Sequence, residues 1–412
     1  MKRIAVIGAG PAGMLAAAYA KTDKTEVFLF DRNEKAGKKL YLTGKGRCNI
    51  TNSADRENFI NNIPRNPRFL FSALDGFFNN DIISLIESQG VRTKVERGGR
   101  VFPESDKSSD VIKALLSFLA KRGVKPILNT RITSVGSDEG GFILKSEDVD
   151  TMRFDSVILA TGGRSYPSTG STGDGYRFAE AFGHTVTKTV PSLISLITEE
   201  KWPGELTGLS LKNVTLKAVK GGKIVYSELG EMLFTHFGVS GPLVLSLSAR
   251  IADDPPGTKL FIDLKPALDQ STLDARILRD LAANSHKQLK NALLGLMPSR
   301  LLPIVLGLAG IDPEKTTDNF SKTERRNLVN VLKAIPLTVS GTSPIDEAII
   351  TRGGVSVKEI DPKTMESKLK KGLYFAGEII DVDGFTGGFN LQIAYSTGVA
   401  AGRSAAIIND EV

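Results

Sequence analysis

Three glycines near the start of the chain, Gly8, Gly10 and Gly13, have the spacing that lets a backbone close around a pyrophosphate. The β-branched run Ile4–Ile7 leads into them and Met14–Ala20 follows with helical texture, so the order reads strand, tight turn, helix. Gly8 permits the turn, Gly10 admits the anion and Gly13 lets helix and strand pack closely, while the helix start offers unpaired N–H groups. A second strand, Glu26–Phe30, ends at Asp31, eighteen residues past Gly13, where a carboxylate can accept from a ribose hydroxyl. This chemistry is dinucleotide binding.

Two side chains could move protons. Cys48 is the one cysteine, and its neighbour Arg47 could tune the thiol. His236, one of three histidines, lies in the block Thr235-His-Phe-Gly-Val-Ser-Gly-Pro242. Against each stands a plain structural role, because lone cysteines are commonly buried filler.

The elements that must position these groups follow from periodicity and turn residues. Residues 32–52 carry too much glycine and too little apolar rhythm for an ordinary helix, and a loop of that length is usually functional. Helices are expected over Pro67–Phe78 and Asp81–Gln89, and from a cap at Ser108 or Ser109 to Arg122. Short strands are expected at Val91–Glu96, Ile127–Asn129, Arg131–Val135, Phe142–Ser146 and Phe154–Leu159. The last of these runs into Ala160-Thr-Gly-Gly163 and a second glycine cluster at 170–175. From Pro191 the texture becomes antiparallel: Leu193–Thr198, Leu209–Lys220 and Lys223–Leu229, with Gly221-Gly222 as a hairpin turn. Further strands are expected at Leu260–Leu264 and Ile335–Val339, and residues 266–333 read as helical. A final strand near 372–376 precedes Gly377-Glu378, Gly387-Gly388 and a helix over Leu391–Ala406. The expected domains are therefore 1–190 with 351–412, a β-rich insert at 191–265 with 334–350, and a helical subdomain at 266–333.

Composition narrows the class. A chain of 412 residues, 41% hydrophobic and 24% charged, suits a globular protein of two or three domains. The first residues already read as a core strand, so no signal peptide is expected. The most apolar stretch, Leu301–Gly310, is interrupted by Pro303 and too short to span a bilayer. One cysteine excludes an internal disulfide, and a cytoplasmic location with no membrane partner and no metal site is the expectation. The net charge of +7 is compatible with an anionic substrate or nucleic acid, but no long basic run singles out either.

With these motifs the chain resembles the BaiN/RdsA family of FAD-dependent oxidoreductases. The resemblance rests on Gly8–Gly13, Thr43-Gly-Lys-Gly-Arg-Cys-Asn-Ile-Thr-Asn52, residues 160–163 with 170–175, Leu233–Pro242, Thr351–Gly354, and Gly377-Glu378 with Gly387–Gln392. It implies an α/β fold: a two-dinucleotide-binding (Rossmann-like) FAD domain with a β-barrel-like insert carrying a small helical subdomain. It implies that Gly8, Gly10, Pro11, Ala12 and Gly13 hold the FAD pyrophosphate, and that Asp31 and Arg32 lie at the adenosine. Ile132 would present backbone to adenine. Lys39 and the run Thr43, Gly44, Gly46, Arg47, Cys48 and Asn49 would follow the flavin, with Ala160, Thr161 and Gly162 beside the phosphates. Gly377 and Glu378 suit the ribityl chain. Gly388, Phe389 and Asn390 would aim N–H groups at the flavin edge that gains negative charge on reduction.

The activity so implied is hydride transfer from NAD(P)H, a transient reductant, through the flavin to an activated C=C. The favoured substrate is uridine in ribosomal RNA, giving dihydrouridine, with Arg97, Arg100 and Ser240 as substrate contacts. One alternative is a small-molecule ene-reductase or dehydrogenase acting on a steroid-like or other unsaturated metabolite. A second, from another class, is a non-catalytic RNA-binding protein stabilised by flavin. That last reading requires RNA binding without reduction of the flavin by NAD(P)H.

Overall fold

The computed structural model describes residues 1–147 and 151–408. The chain divides into two compact units: Met1–Ser192 together with the chain from Ile345 onward, and Leu193–Pro344.

The first unit is built on a five-stranded parallel sheet. Its strands are β1 (Lys2–Ile7), β2 (Thr25–Phe30), β3 (Pro126–Ile127), β4 (Ser156–Leu159) and β5 (Leu373–Phe375), in the spatial order β5-β4-β1-β2-β3. β1 and β4 are almost continuously apolar because both faces of a parallel sheet are covered. Helix α1 (Pro11–Ala20) and the C-terminal helix α2 (Phe389–Ala405) pack closely on one another. Side chains on Gly398 and Gly402 would stand 2.4 and 2.3 Å from the carbonyl oxygens of Ala12 and Ala16. That closeness explains the small residues Ala12 and Ala16 on the face of α1 turned to α2.

A three-stranded meander (Ile132–Asp138, Gly141–Ser146, Met152–Phe154) and a small sheet of Thr51–Asn52, Arg100–Pro103 and Thr93–Glu96 complete the unit. The strand expected over Phe154–Leu159 is two strands serving different sheets. They part at Asp155, whose carboxylate accepts the Arg3 N–H at 2.6 Å.

Other local expectations need correction. Residues 32–52 are not irregular throughout: Lys38–Leu42 is a short helix seated on the single buried side chain Leu40, followed by a tight turn at Thr43–Gly46. Ser108 does not cap its helix, because Lys107 occupies that position and the Ser108 hydroxyl donates to the Tyr41 carbonyl at 3.0 Å. The stretch expected as one helix over Pro67–Phe78 is a 3-10 turn, Pro67–Leu70, then Phe71–Gly76. The next helix begins at Asn79, where the Asp81 carboxylate accepts the Phe78 N–H at 2.6 Å.

The second unit is a closed six-stranded barrel in the order 196–198, 238–240, 223–235, 210–220, 259–263, 335–342. Gly221 and Gly222, both with positive φ, make the expected two-residue hairpin. Leu193 has φ near 54°, outside strand geometry, so the first strand is only Leu196–Thr198. Helices Gln270–Ala282, Leu302–Leu308 and Lys322–Lys333 bury Leu273, Ile277, Val305 and Leu328 in the same apolar cluster as barrel residues Leu216, Leu260 and Val339.

Candidate functional site

The three N-terminal glycines have three different surroundings. Gly8 has φ near 106°, and a Cβ there would lie 2.4 Å from the Ala160 carbonyl oxygen. A Cβ on Gly13 would lie 1.8 Å from the Gly8 carbonyl oxygen. Both positions are closed by backbone. At Gly10 no atom lies within 4 Å of that point, so the turn is open on the side an anion would approach. Gly10 is also the N-cap of α1, with Pro11 at the first helical position and no side chain capping the helix.

Asp31 is held at this turn. Its Oδ2 accepts the Ala9 N–H at 2.7 Å, while Oδ1 accepts from the Asn33 backbone and side-chain amides. The Thr130 N–H donates to the Asp31 carbonyl, which brings the start of the meander, and so Ile132, to the same strand end. Arg32 turns to Thr172 and Asp174. Ala160, Thr161 and Gly162 follow β4 beside the turn.

Two buried polar oxygens elsewhere in the unit have no protein partner, one on Thr161, whose hydroxyl lies against Gly175, and one on Asn49 in the segment leading to Thr51. An open glycine, an uncapped helix start and an acid at the β2 end fit a bound dinucleotide.

The far end of the site comes from the C-terminal segment. Gly387 and Gly388 both have positive φ, and a Cβ on Gly388 would lie 2.3 Å from the Thr51 carbonyl oxygen. Thr51 donates to Gln392 Oε1 at 2.7 Å, and Asn52 Nδ2 to the Gly387 carbonyl at 2.9 Å. The segment containing Thr43–Asn49 is thus fastened to the start of α2, whose first N–H groups no side chain caps. Phe389 turns its ring into the core against Phe59, leaving only its backbone for a ligand. The Asn390 amide closes on Gly384, accepting its N–H at 2.8 Å and donating to its carbonyl at 2.7 Å.

Glu378 is oriented by a network that sequence reasoning did not assign. Lys39 Nζ donates to Glu378 Oε2 at 2.6 Å and to the Ser165 hydroxyl at 2.7 Å; Glu378 Oε1 accepts from Ser165 Oγ and the Thr351 N–H. The buried Thr351 hydroxyl in turn accepts the N–H groups of Arg164 and Ser165. Thr351 was visible only as part of a family block, and Ser165 carried no signal. Gly377 has φ near 78°, donates to Thr397 Oγ1 and approaches Ala12.

The thiol does not have the environment expected of an acid tuned by Arg47. Cys48 is fully buried, and burial, against a hydrogen bond from Thr43, pushes its pKa up to about 12. Arg47 is bound to Glu96 and Asp106 and lies over the Phe102 ring at 4.1 Å. Its charge is committed there. Arg97 and Arg100 stand exposed on the adjoining hairpin, Arg100 donating to the Arg97 carbonyl at 3.1 Å. In the barrel unit His236 is exposed in the turn 236–237, its ring against Phe237, and the Ser240 hydroxyl shares a hydrogen bond with Ser195 at 2.8 Å.

Among the described residues no group of three or more His, Cys, Asp or Glu could hold a metal ion, and no single helix is long and apolar enough to cross a membrane. A parallel sheet with this glycine turn, interrupted by a closed barrel, places the protein among Rossmann-type oxidoreductases, and it is an enzyme of that class. The chain belongs to the family described as HI0933-like protein Rossmann domain, which matches residues 2–404. It is 33% identical over 413 residues to the 3-dehydro-bile acid delta(4,6)-reductase of Clostridium scindens, covering 98% of this chain and 99% of that one. It is 34% identical over 405 residues to the ribosomal RNA dihydrouridine synthase of Haemophilus influenzae, covering 97% of each. The 3-ketosteroid-delta4-(5alpha)-dehydrogenase of Rhodococcus jostii shares the fold at 16% identity, with a TM-score of 0.51 over 99% of this chain and 97% of that one.

Proposed function

We propose that the protein is an FAD-dependent reductase that adds hydride and a proton across an activated C=C, with uridine in ribosomal RNA as its substrate and NAD(P)H as reductant. The observation that carries the cofactor half is the open Gly10 turn between two closed glycines, with Asp31 anchored beside it. Bound FAD supplies the hydride chemistry. The chain's residues do the rest: α1 holds the pyrophosphate, Asp31 the adenosine ribose, and Glu378, fixed by Lys39 and Ser165, the ribityl hydroxyls. The uncapped start of α2 stabilises negative charge at the flavin edge.

The RNA half is supported by the net charge of +7, by exposed Arg97 and Arg100, and by likeness along nearly the whole chain to a ribosomal RNA dihydrouridine synthase. This reading puts the protein in the cytoplasm. Of the two candidate proton donors, Cys48 is sealed in the core and His236 is exposed in the barrel unit. The test is the dihydrouridine content of ribosomal RNA in a deletion strain and its parent, measured by mass spectrometry of nucleosides. Loss restored by the wild-type gene supports the RNA half; unchanged content sinks it.

A second reading has its own support in the 33% identity to a bile acid reductase over 98% of this chain. In it a planar unsaturated small molecule takes the place of uridine. Oxidation of the reduced protein by an enone, with no effect of the deletion on ribosomal RNA, would select it.

A further inference from the structure

Two aspartates in the loop before α2 are buried in opposite electrostatic settings. Asp381, 4% exposed, is gripped at both oxygens by the Arg65 guanidinium, and its carbonyl accepts from Asn66 Nδ2 at 2.6 Å. Asp383, 1% exposed, has no such clamp. The Ser192 hydroxyl reaches its Oδ2 only at 3.4 Å, and Oδ1 is buried with no partner. The charged groups facing it are Arg352 from strand 350–352, Arg65, and Asp381 from its own loop. Burial outweighs the two arginines and lifts its pKa to about 6. One carboxyl is thus clamped by a guanidinium while its neighbour keeps an unpartnered oxygen on which a proton can sit.

The loop also connects Asp383 to the start of α2. Asp383 immediately precedes Gly384, which Asn390 of the first turn of α2 clamps on both its N–H and its carbonyl. Asn52 holds Gly387 four residues further on. Asp383 is therefore held in the same short, hydrogen-bonded stretch as the helix start.

We propose that Asp383 is the proton reservoir of the reduced enzyme: when negative charge arrives at the start of α2, the Asp383 carboxylate takes one proton from solvent onto Oδ1. This rests on the reading of the helix start as the flavin end. The balance is one proton bound at Asp383 for each two electrons accepted at the cofactor, and no bond within the protein forms or breaks. Asp383 acts through the loop and the helix start, as a positioning residue.

The experiment is spectroelectrochemical titration of the FAD-loaded protein from about pH 5 to pH 8, for the wild type and for Asp383→Asn. One extra proton per two electrons changes the equilibrium tenfold per pH unit, about 30 mV per pH unit for a two-electron couple. The wild type should show that additional slope above pH 6, and Asp383→Asn should lack it. Asp381→Asn, which removes a neighbouring carboxylate and releases Arg65, should move the onset of that slope to lower pH without abolishing it. Equal slopes in wild type and Asp383→Asn, with FAD bound to both, overturn the proposal. Failure of the wild type to retain FAD removes the reading of the helix start and the proposal with it.

Discussion

Replacing Asp383 by asparagine isolates the cost of placing a charge in an enclosed site. Burial lifts the Asp383 pKa from 3.8 to about 6 despite Arg352 and Arg65. Each tenfold change in proton affinity is worth about 1.4 kcal/mol, so ionising this carboxyl costs the folded state about 3 kcal/mol relative to the unfolded chain. Between about pH 4 and pH 6 the folded chain keeps a proton that the unfolded chain has released. Stability from this group therefore falls as pH rises through that window, and the full cost is present above it. Below about pH 4 both states are protonated and the cost vanishes. Asparagine cannot ionise, so the variant should gain about 3 kcal/mol on the wild type between pH 4 and pH 7, whatever constant offset the amide brings. Urea unfolding of the cofactor-free protein at several pH values measures the difference. Hydrogen exchange of peptides covering residues 378–395 assigns it to the first unit, because a chain of two units need not unfold in one transition. A variant-minus-wild-type difference that is the same at pH 4 and pH 7 refutes the reasoning.

Gly10→Ala meets no protein atom within 4 Å, so the cofactor-free variant should unfold within about 0.5 kcal/mol of wild type while binding FAD at least tenfold more weakly by fluorescence titration. Gly8→Ala, at φ near 106° and against the Ala160 carbonyl, should instead lose about 2 kcal/mol or more of stability before any ligand is added. Lys39→Met leaves Glu378 and Ser165 without their shared donor, and should cost about 1–3 kcal/mol in thermal unfolding and weaken FAD binding as well. The Cys48 thiol, sealed and with its pKa near 12, should resist iodoacetamide in the folded protein at pH 8 and react on unfolding; rapid labelling of folded protein would contradict the burial. Arg97→Ala with Arg100→Ala should weaken RNA binding and flatten its salt dependence without altering FAD content, and an unchanged salt slope would remove that hairpin from the RNA surface.

What could be read in advance was chemistry confined to a short stretch of chain. β1, the glycine turn and α1 follow from neighbouring residues alone, as does the hairpin at Gly221-Gly222. The barrel strands were visible by alternation, but closure is not, because it depends on the pairing of 196–198 with 335–342. Cys48 shows the other limit. Arg47 precedes it in sequence, yet the guanidinium swings to carboxylates at 96 and 106 and leaves the thiol to the core. The Lys39–Glu378 pair joins residues 339 apart, and no local pattern announces it. Asp383 looked like any loop aspartate. Its character comes from Arg65 being spent on Asp381, which only the folded arrangement decides.

The packing of α1 against α2 has a consequence for biosynthesis. The glycine turn at Gly8 leaves the ribosome some 380 residues before Gly388, which at roughly 5–20 residues per second is an interval of about 20–80 s. Throughout it α1 lacks the helix that Gly398 and Gly402 bring against Ala12 and Ala16, and the barrel unit, continuous in sequence, is complete first. The nascent chain thus carries Ala12 and Ala16 uncovered until residues 389–405 are made. A product that stops before residue 389 lacks the helix that seats on α1 and should fail to retain FAD in a binding assay.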